Sequence, residues 1–466
     1  MAVIAGAAVL AASFVTVAAP AASAAGCSVT NAATGVRSSS LQSAVKAAAA
    51  GQTLRISGTC KGNTTIGKSL KLLGVGTNPT LRGNGGRPLT ITGGPVTVDR
   101  LRITGGIATS CFGAPAGVAC GGGIAASKRL IVKRSLIEGN TVSGSLSAQG
   151  GGIAVITGGS LKVVGSTIRD NTITAATTGG GAFGGGIAAF APASISGSVI
   201  DGNVANGDTA TGGGILADFS VAGDLTVTTT LVRDNTALGD DVASGGGIAT
   251  EASATLRLTR STVAGNTVLA ANEGFANASA GGIKAVSAVI VNSTITGNTV
   301  TSLAIAVGVE LSGGLQVGSG TIVASTIAGN KALRAGGALL GAGVEMGTTI
   351  IAANTGTIGV DCETENGVVS LGRNLIGNAA GCGTVFDNGV KGDKVGNDNV
   401  GPSVPVIVPK LAALANNGGP TPTRALKAGS PAIDAGGGKP CSTTADQRGV
   451  KRPQGAKCDI GAFEKG

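Results

Sequence analysis

Apolar and polar positions between residues 130 and 354 recur in a fixed phrase, counted here back from an asparagine. The asparagines are Asn140, Asn171, Asn203, Asn235, Asn266, Asn298, Asn330 and Asn354, in steps of 31, 32, 32, 31, 32, 32 and 24 residues. Three residues earlier stand Ile137, Ile168, Ile200, Val232, Val263, Ile295, Ile327 and Ile351; eight earlier, Val132, Val163, Ile195, Val227, Leu258, Ile290, Ile322 and Met346. Five earlier is always Ser or Thr, from Ser135 to Thr349. Alternation at offsets of two is that of a strand, and the fixed period predicts that each strand lies over its counterpart one coil earlier. The expected product is a stack of parallel strands about 4.8 Å apart.

The asparagine is expected at a corner, in the left-handed conformation it tolerates, with its side-chain amide bonding to the next coil. A glycine run then allows a sharp bend before Ile124, Ile153, Ile187, Ile215 or Ile248 re-enters the core. The 24-residue unit is about what three short strands and three turns require. Longer units read as carrying an added loop after the asparagine, such as residues 141–149. These features resemble the right-handed parallel β-helix of the pectin-lyase-like group, which implies an all-β, single-stranded solenoid over residues 54–400.

Ahead of it, Leu41, Ala44, Val45 and Ala48 share one helical face, which predicts a short amphipathic helix capping the first coil within residues 25–53. Gly51 ends it, and strands are expected from Thr53, at 64–73, 88–92 and 96–103. Residues 1–24 are apolar and close on Ala22-Ser23-Ala24, the pattern of a signal peptide. The basic stretch that ordinarily opens such a signal is missing, so the expected start lies upstream. No later stretch is apolar enough to span a membrane.

Residues 401–466 leave the repeat. Asn417-Gly418-Gly419-Pro420-Thr421-Pro422-Thr423, Gly429-Ser430-Pro431-Ala432-Ile433-Asp434-Ala435-Gly436, Asp446-Gln447-Arg448-Gly449 and Cys458-Asp459-Ile460-Gly461-Ala462-Phe463-Glu464 together resemble the choice-of-anchor Q module of bacterial exported β-helix proteins. The resemblance implies a secreted or cell-surface protein. The anchoring signal that often follows the module is not seen after Gly466, so the mode of attachment stays open. A proline-rich segment of this kind is expected to cap the last coil.

Composition narrows the picture. With 83 glycines and 2% aromatic residues among 466, the chain lacks the material for several compact cores, and a solenoid needs none. Eight cysteines allow 105 connectivities; proximity suggests Cys27–Cys60, Cys111–Cys120, Cys362–Cys382 and Cys441–Cys458. Zinc is disfavoured because the chain has no histidine and no Cys-x-x-Cys. The net charge of +10 is weighted towards the early coils: Arg55, Lys61, Lys68, Lys71, Arg82, Arg87, Arg100, Arg102, Lys128, Arg129, Lys133 and Arg134. On an exported solenoid this points to acidic glycans or wall polymers, or simply serves solubility. Nucleic acid is disfavoured, since Trp and Tyr for base stacking are absent.

Candidate chemistry is sparse. Hydrolases of the pectin-lyase-like group are similar to one another in an aspartate cluster beside a histidine; Gly239-Asp240-Asp241 matches one fragment, without the histidine. Lyases of the group imply a calcium ion and a basic residue. Asp208 and Asp240 each follow their corner asparagine by five residues, so they are the expected calcium ligands, with Asp241 and Glu273 near in register. The alternative is two solvated loop residues. Two residues before the asparagine, Glu138, Arg169, Asp201 and Arg233 alternate in sign and are expected to form an outward ladder that penalises a slipped register. The favoured reading is a non-enzymatic binding or adhesion scaffold; the alternative is a polysaccharide lyase or related carbohydrate-active enzyme.

Overall fold

A computed structural model describes residues 26–176, 178–271, 277–302, 312–397 and 404–466. The expected signal peptide, Glu273 and the expected boundary at 400/401 lie outside the described residues. The chain is an all-β right-handed parallel β-helix, with one short α-helix among the described residues.

One coil shows how the sequence closes. Ile124–Ala126 and Arg129–Lys133 lie on the longest sheet, Leu136–Glu138 turns onto a second, and Thr141–Gly144 and Ser147–Gln149 run on a third. Each pairs in parallel with its counterpart one coil on, as Ile137 does with Ile168 and Ile168 with Ile200. The isoleucine column from Ile137 to Ile351 is fully buried, as its periodicity predicts.

The asparagines are buried too, and they form a continuous ladder. The backbone N–H and side-chain Nδ2 of Asn140 both donate to Oδ1 of Asn171, at 3.1 and 2.9 Å. The pattern repeats to Asn354. A second ladder runs through the Ser/Thr row, each hydroxyl accepting the N–H of the previous coil, from Ser135 (3.2 Å from Leu101 N) to Thr349 (3.3 Å from Ser325 N). The buried polar side chains of these two rows are thereby satisfied from coil to coil. The left-handed residue is not the asparagine but the one before it: Gly139 at φ +60°, Asp170 at +53°, Gly202 at +62° and Asp234 at +54°. That corrects the expectation and explains the Gly-Asn and Asp-Asn phrases, because Gly and Asp bear this conformation cheaply.

The predicted loops after the asparagine are also corrected. Residues 141–149 and their counterparts are outgoing and returning strands that stack into the third sheet, a flange on the main coil. Its interior is thin and built from small side chains, among them Ala148, Ala182, Ala205, Ala210, Ala237 and Ala243.

At the N-terminal end, Leu41–Ala47 forms the capping helix, opened by Ser40 and burying Leu41, Ala44 and Val45. Ser28–Asn31 pairs antiparallel with Thr53–Ser57 and helps to cover the first coil's edge. All four expected disulfides form. At the other end Phe386 is fully buried and plugs the core, alongside Ala379, Cys382 and Val395. The C-terminal segment touches the last coil where it begins, the Ile407 N–H donating to the Gly377 carbonyl at 2.8 Å, and most of it lies beyond the expected cap. It folds back along the outside of the second sheet, where Gln447 Nε2 donates to Thr262 Oγ1 (2.8 Å) and Thr294 Oγ1 donates to Gln447 Oε1 (2.6 Å). Ala462 N–H donates to Thr326 Oγ1 at 3.0 Å, and Phe463 and Ile460 pack with Ile350.

Candidate polyanion-binding surface

Around the corner between the first and second sheets, the early cations gather. Asp99, 2% exposed, lies in register with Lys133 on the next coil. Arg134 clamps Asp99 with both ends of its guanidinium, at 2.7 to 3.0 Å, while Lys71 and Arg100 stand 3.8 and 3.9 Å away. Arg100 and Arg134 both take left-handed φ at this corner, which aims their side chains outward, where they are more than half exposed. On the second sheet, Arg102 Nε and Arg169 Nη2 each reach Glu138 at 2.5 Å. Burial pushes the Glu138 carboxyl up, but the hydrogen bonds and charges of Arg102 and Arg169 outweigh it and hold the carboxyl below its ordinary value.

Five cations thus surround two carboxylates. Lys61 then stacks in register on Arg82, with Thr104 rather than a carboxylate next in the column. Like charges directly adjacent cost stability, so this excess is not there to hold the fold. Arg87 does not belong to the surface: it turns inward to the carbonyls of Ser110, Cys120 and Gly121, and burial lowers its pKa to about 10.

The predicted charge ladder exists in part. Arg233 pairs with Asp201 at 2.7 Å and Arg169 with Glu138, but no ion pair joins Arg169 to Asp201. Glu138 faces outward as expected, opposite in sense to the buried Ile137, and is covered there by Arg102 and Arg169.

The aspartates expected to bind calcium lie at the tip of the flange, within strands and not on loops. The register slips between the Gly207/Gly239 and Thr209/Val242 pairs, so Asp208 faces both Asp240 and Asp241 across a bulge. Asp208 Oδ2 accepts the Gly179 N–H at 2.8 Å. Among the described residues, no three His, Cys, Asp or Glu side chains gather into a group suited to a metal ion.

A second cluster was not visible in the repeat. Asp218 lies in register with Glu251 on the long sheet, and Lys284 Nζ reaches Glu251 Oε1 at 3.0 Å. Lys284 lines a shallow groove of about 240 Å³ with Val286, Gln316, Leu339 and Glu365. Burial, then the Glu251 charge, raises the Asp218 carboxyl above its ordinary value. These residues lie after the glycine bend, where unit lengths differ, so alignment on the asparagine hid them.

Four disulfides and the lack, among the described residues, of any helix long and apolar enough to cross a membrane fit an extracellular protein. No family model, curated protein or solved structure matches this chain, which stands on its architecture as a parallel β-solenoid.

Proposed function

We propose that the chain is an exported, pectin-lyase-like β-helix with a choice-of-anchor-type C-terminal module, and that it is a non-enzymatic scaffold binding acidic glycans or wall polymers. The observation that carries this reading is the uncancelled positive charge at the corner of Lys61, Lys71, Arg82, Arg100, Arg102 and Arg134, set on flat stacked sheets. Retention on immobilised uronate polymer should fall steeply with salt, and a neutral polymer should not be retained. Lys61→Gln, Arg82→Gln and Arg100→Gln together should weaken retention about tenfold with unchanged melting, since these side chains are exposed. Equal retention of the neutral polymer overturns the reading.

The second reading is a polysaccharide lyase or related enzyme, favoured by the groove that Lys284 lines, with Glu251 paired to that lysine. Against it, the Lys284 ammonium is tied to Glu251 Oε1 at 3.0 Å and is poorly placed to take a proton from a substrate. Incubation with uronate polymers should release no unsaturated products. If calcium serves a lyase through Asp208, Asp240 and Asp241, it should raise the melting temperature of wild type and not of Asp240→Asn; under the scaffold reading the curves superimpose.

A further inference from the structure

A pocket of about 370 Å³ opens where the C-terminal hairpin leans on the coil. The hairpin pairs Leu411–Ala415 with Thr423–Leu426, and at its open end the Lys427 N–H donates to the Lys410 carbonyl at 2.9 Å. The two lysines therefore stand opposite one another, with exposed side chains. Arg424 enters from the second strand, its Nε donating to the Ala412 carbonyl (3.0 Å) and its Nη1 to Thr296 Oγ1 on the coil (3.4 Å). Ala353, Val408, Pro409, Leu411 and Ala428 complete the wall.

Three cations line this pocket and no acid does. Burial lowers the Arg424 pKa from its ordinary value with no carboxylate to oppose it. Two other partly withdrawn arginines have acids beside them, Arg452 with Glu464 and Arg334 with Glu363, and the buried Arg87 is met by three backbone carbonyls, whereas Arg424 has one carbonyl and one hydroxyl. Facing lysines repel, and a desolvated guanidinium without a counter-charge is costly; an anion between them relieves both. We infer that this pocket is a site for a phosphate group, carried as the monoester of a small polyol. The planar guanidinium suits two phosphate oxygens at once, and the lysines add point charges that a dianion uses more fully than a carboxylate. The apolar wall of Val408, Leu411 and Ala353 seats a short carbon skeleton. This inference is independent of the glycan reading, which rests on the opposite end of the coil.

Calorimetry and thermal melting with inorganic phosphate and with glycerol 3-phosphate, against acetate and chloride at matched ionic strength, test it. Both phosphates should bind and raise the melting temperature, glycerol 3-phosphate more, and acetate should not. Lys427→Gln should weaken phosphate binding about tenfold, and Lys427→Arg should retain it. Arg424→Gln should abolish it. Because Arg424 also braces the hairpin, the exposed Lys427 pair keeps the result separate from folding. No heat and no shift with either phosphate in wild type, an equal shift with acetate, or an unchanged affinity in Lys427→Gln overturns the site, and leaves retention on uronate polymers untouched.

Discussion

Each amide in the asparagine column hands its N–H groups towards the C-terminal end, so the last must meet an acceptor that needs no donor of its own. That acceptor is Asp361, whose Oδ1 takes the N–H and Nδ2 of Asn354, both at 2.9 Å, while Oδ2 takes the Asn378 N–H at 2.7 Å. The Ser/Thr row ends alike: Thr349 donates to Asn374, which donates to Asp393. Burial pushes the Asp361 pKa up to about 6 although these bonds pull it down. The sign follows: a carboxyl raised above its unfolded value of 3.8 stabilises fully below about pH 4, and that contribution is lost as pH rises through about 6. Up to about 3 kcal/mol is at stake, and burial raises Asp393 in the same direction. Protection against hydrogen exchange in the last coils, taken relative to the intrinsic rate at each pH, should therefore fall between pH 4 and 7, and Asp361→Asn should flatten that slope. Asn203→Ala, by stranding the buried N–H of Asn171, should cost about 1 to 3 kcal/mol in denaturant unfolding. The asparagine and Ser/Thr rows were legible because they recur at a fixed period; Asp361 and Asp393, which end them, were not, since each occurs once.

Among the elements, the inner strands were legible and the flange was not, for a physical reason. Isoleucine columns give a strong alternating signal, whereas alternating alanine, threonine and glycine read as loop until the backbone pairing is seen. The two should also respond differently to substitution. Ile200→Asp puts an unpaired charge into a fully buried stack and should lower the melting temperature sharply, loosening neighbouring coils. Ala205→Leu overfills a thin layer and should cost about 1 to 3 kcal/mol. Its exchange should quicken in the flange and not at the isoleucine column; uniform quickening would show the two layers to be one cooperative unit.

Over the whole molecule, the C-terminal segment spans coils from Arg260 to Gly377. Its position was hidden from the sequence because it is set by outward threonines, Thr262, Thr294 and Thr326, which look like any exposed strand residue yet are buried beneath it. Removing residues 404–466 should uncover this row and Ile350, and light scattering should then show self-association. Between Gly106, which opens the asparagine column, and Asp361, which closes it, every unit offers the coil above what it received from the coil below. A unit can therefore be duplicated or deleted without designing a new end. The cationic corner lies near one end of that column and the three-cation pocket near the other, so the chain measures the distance between them in whole coils of about 4.8 Å, as a ruler does.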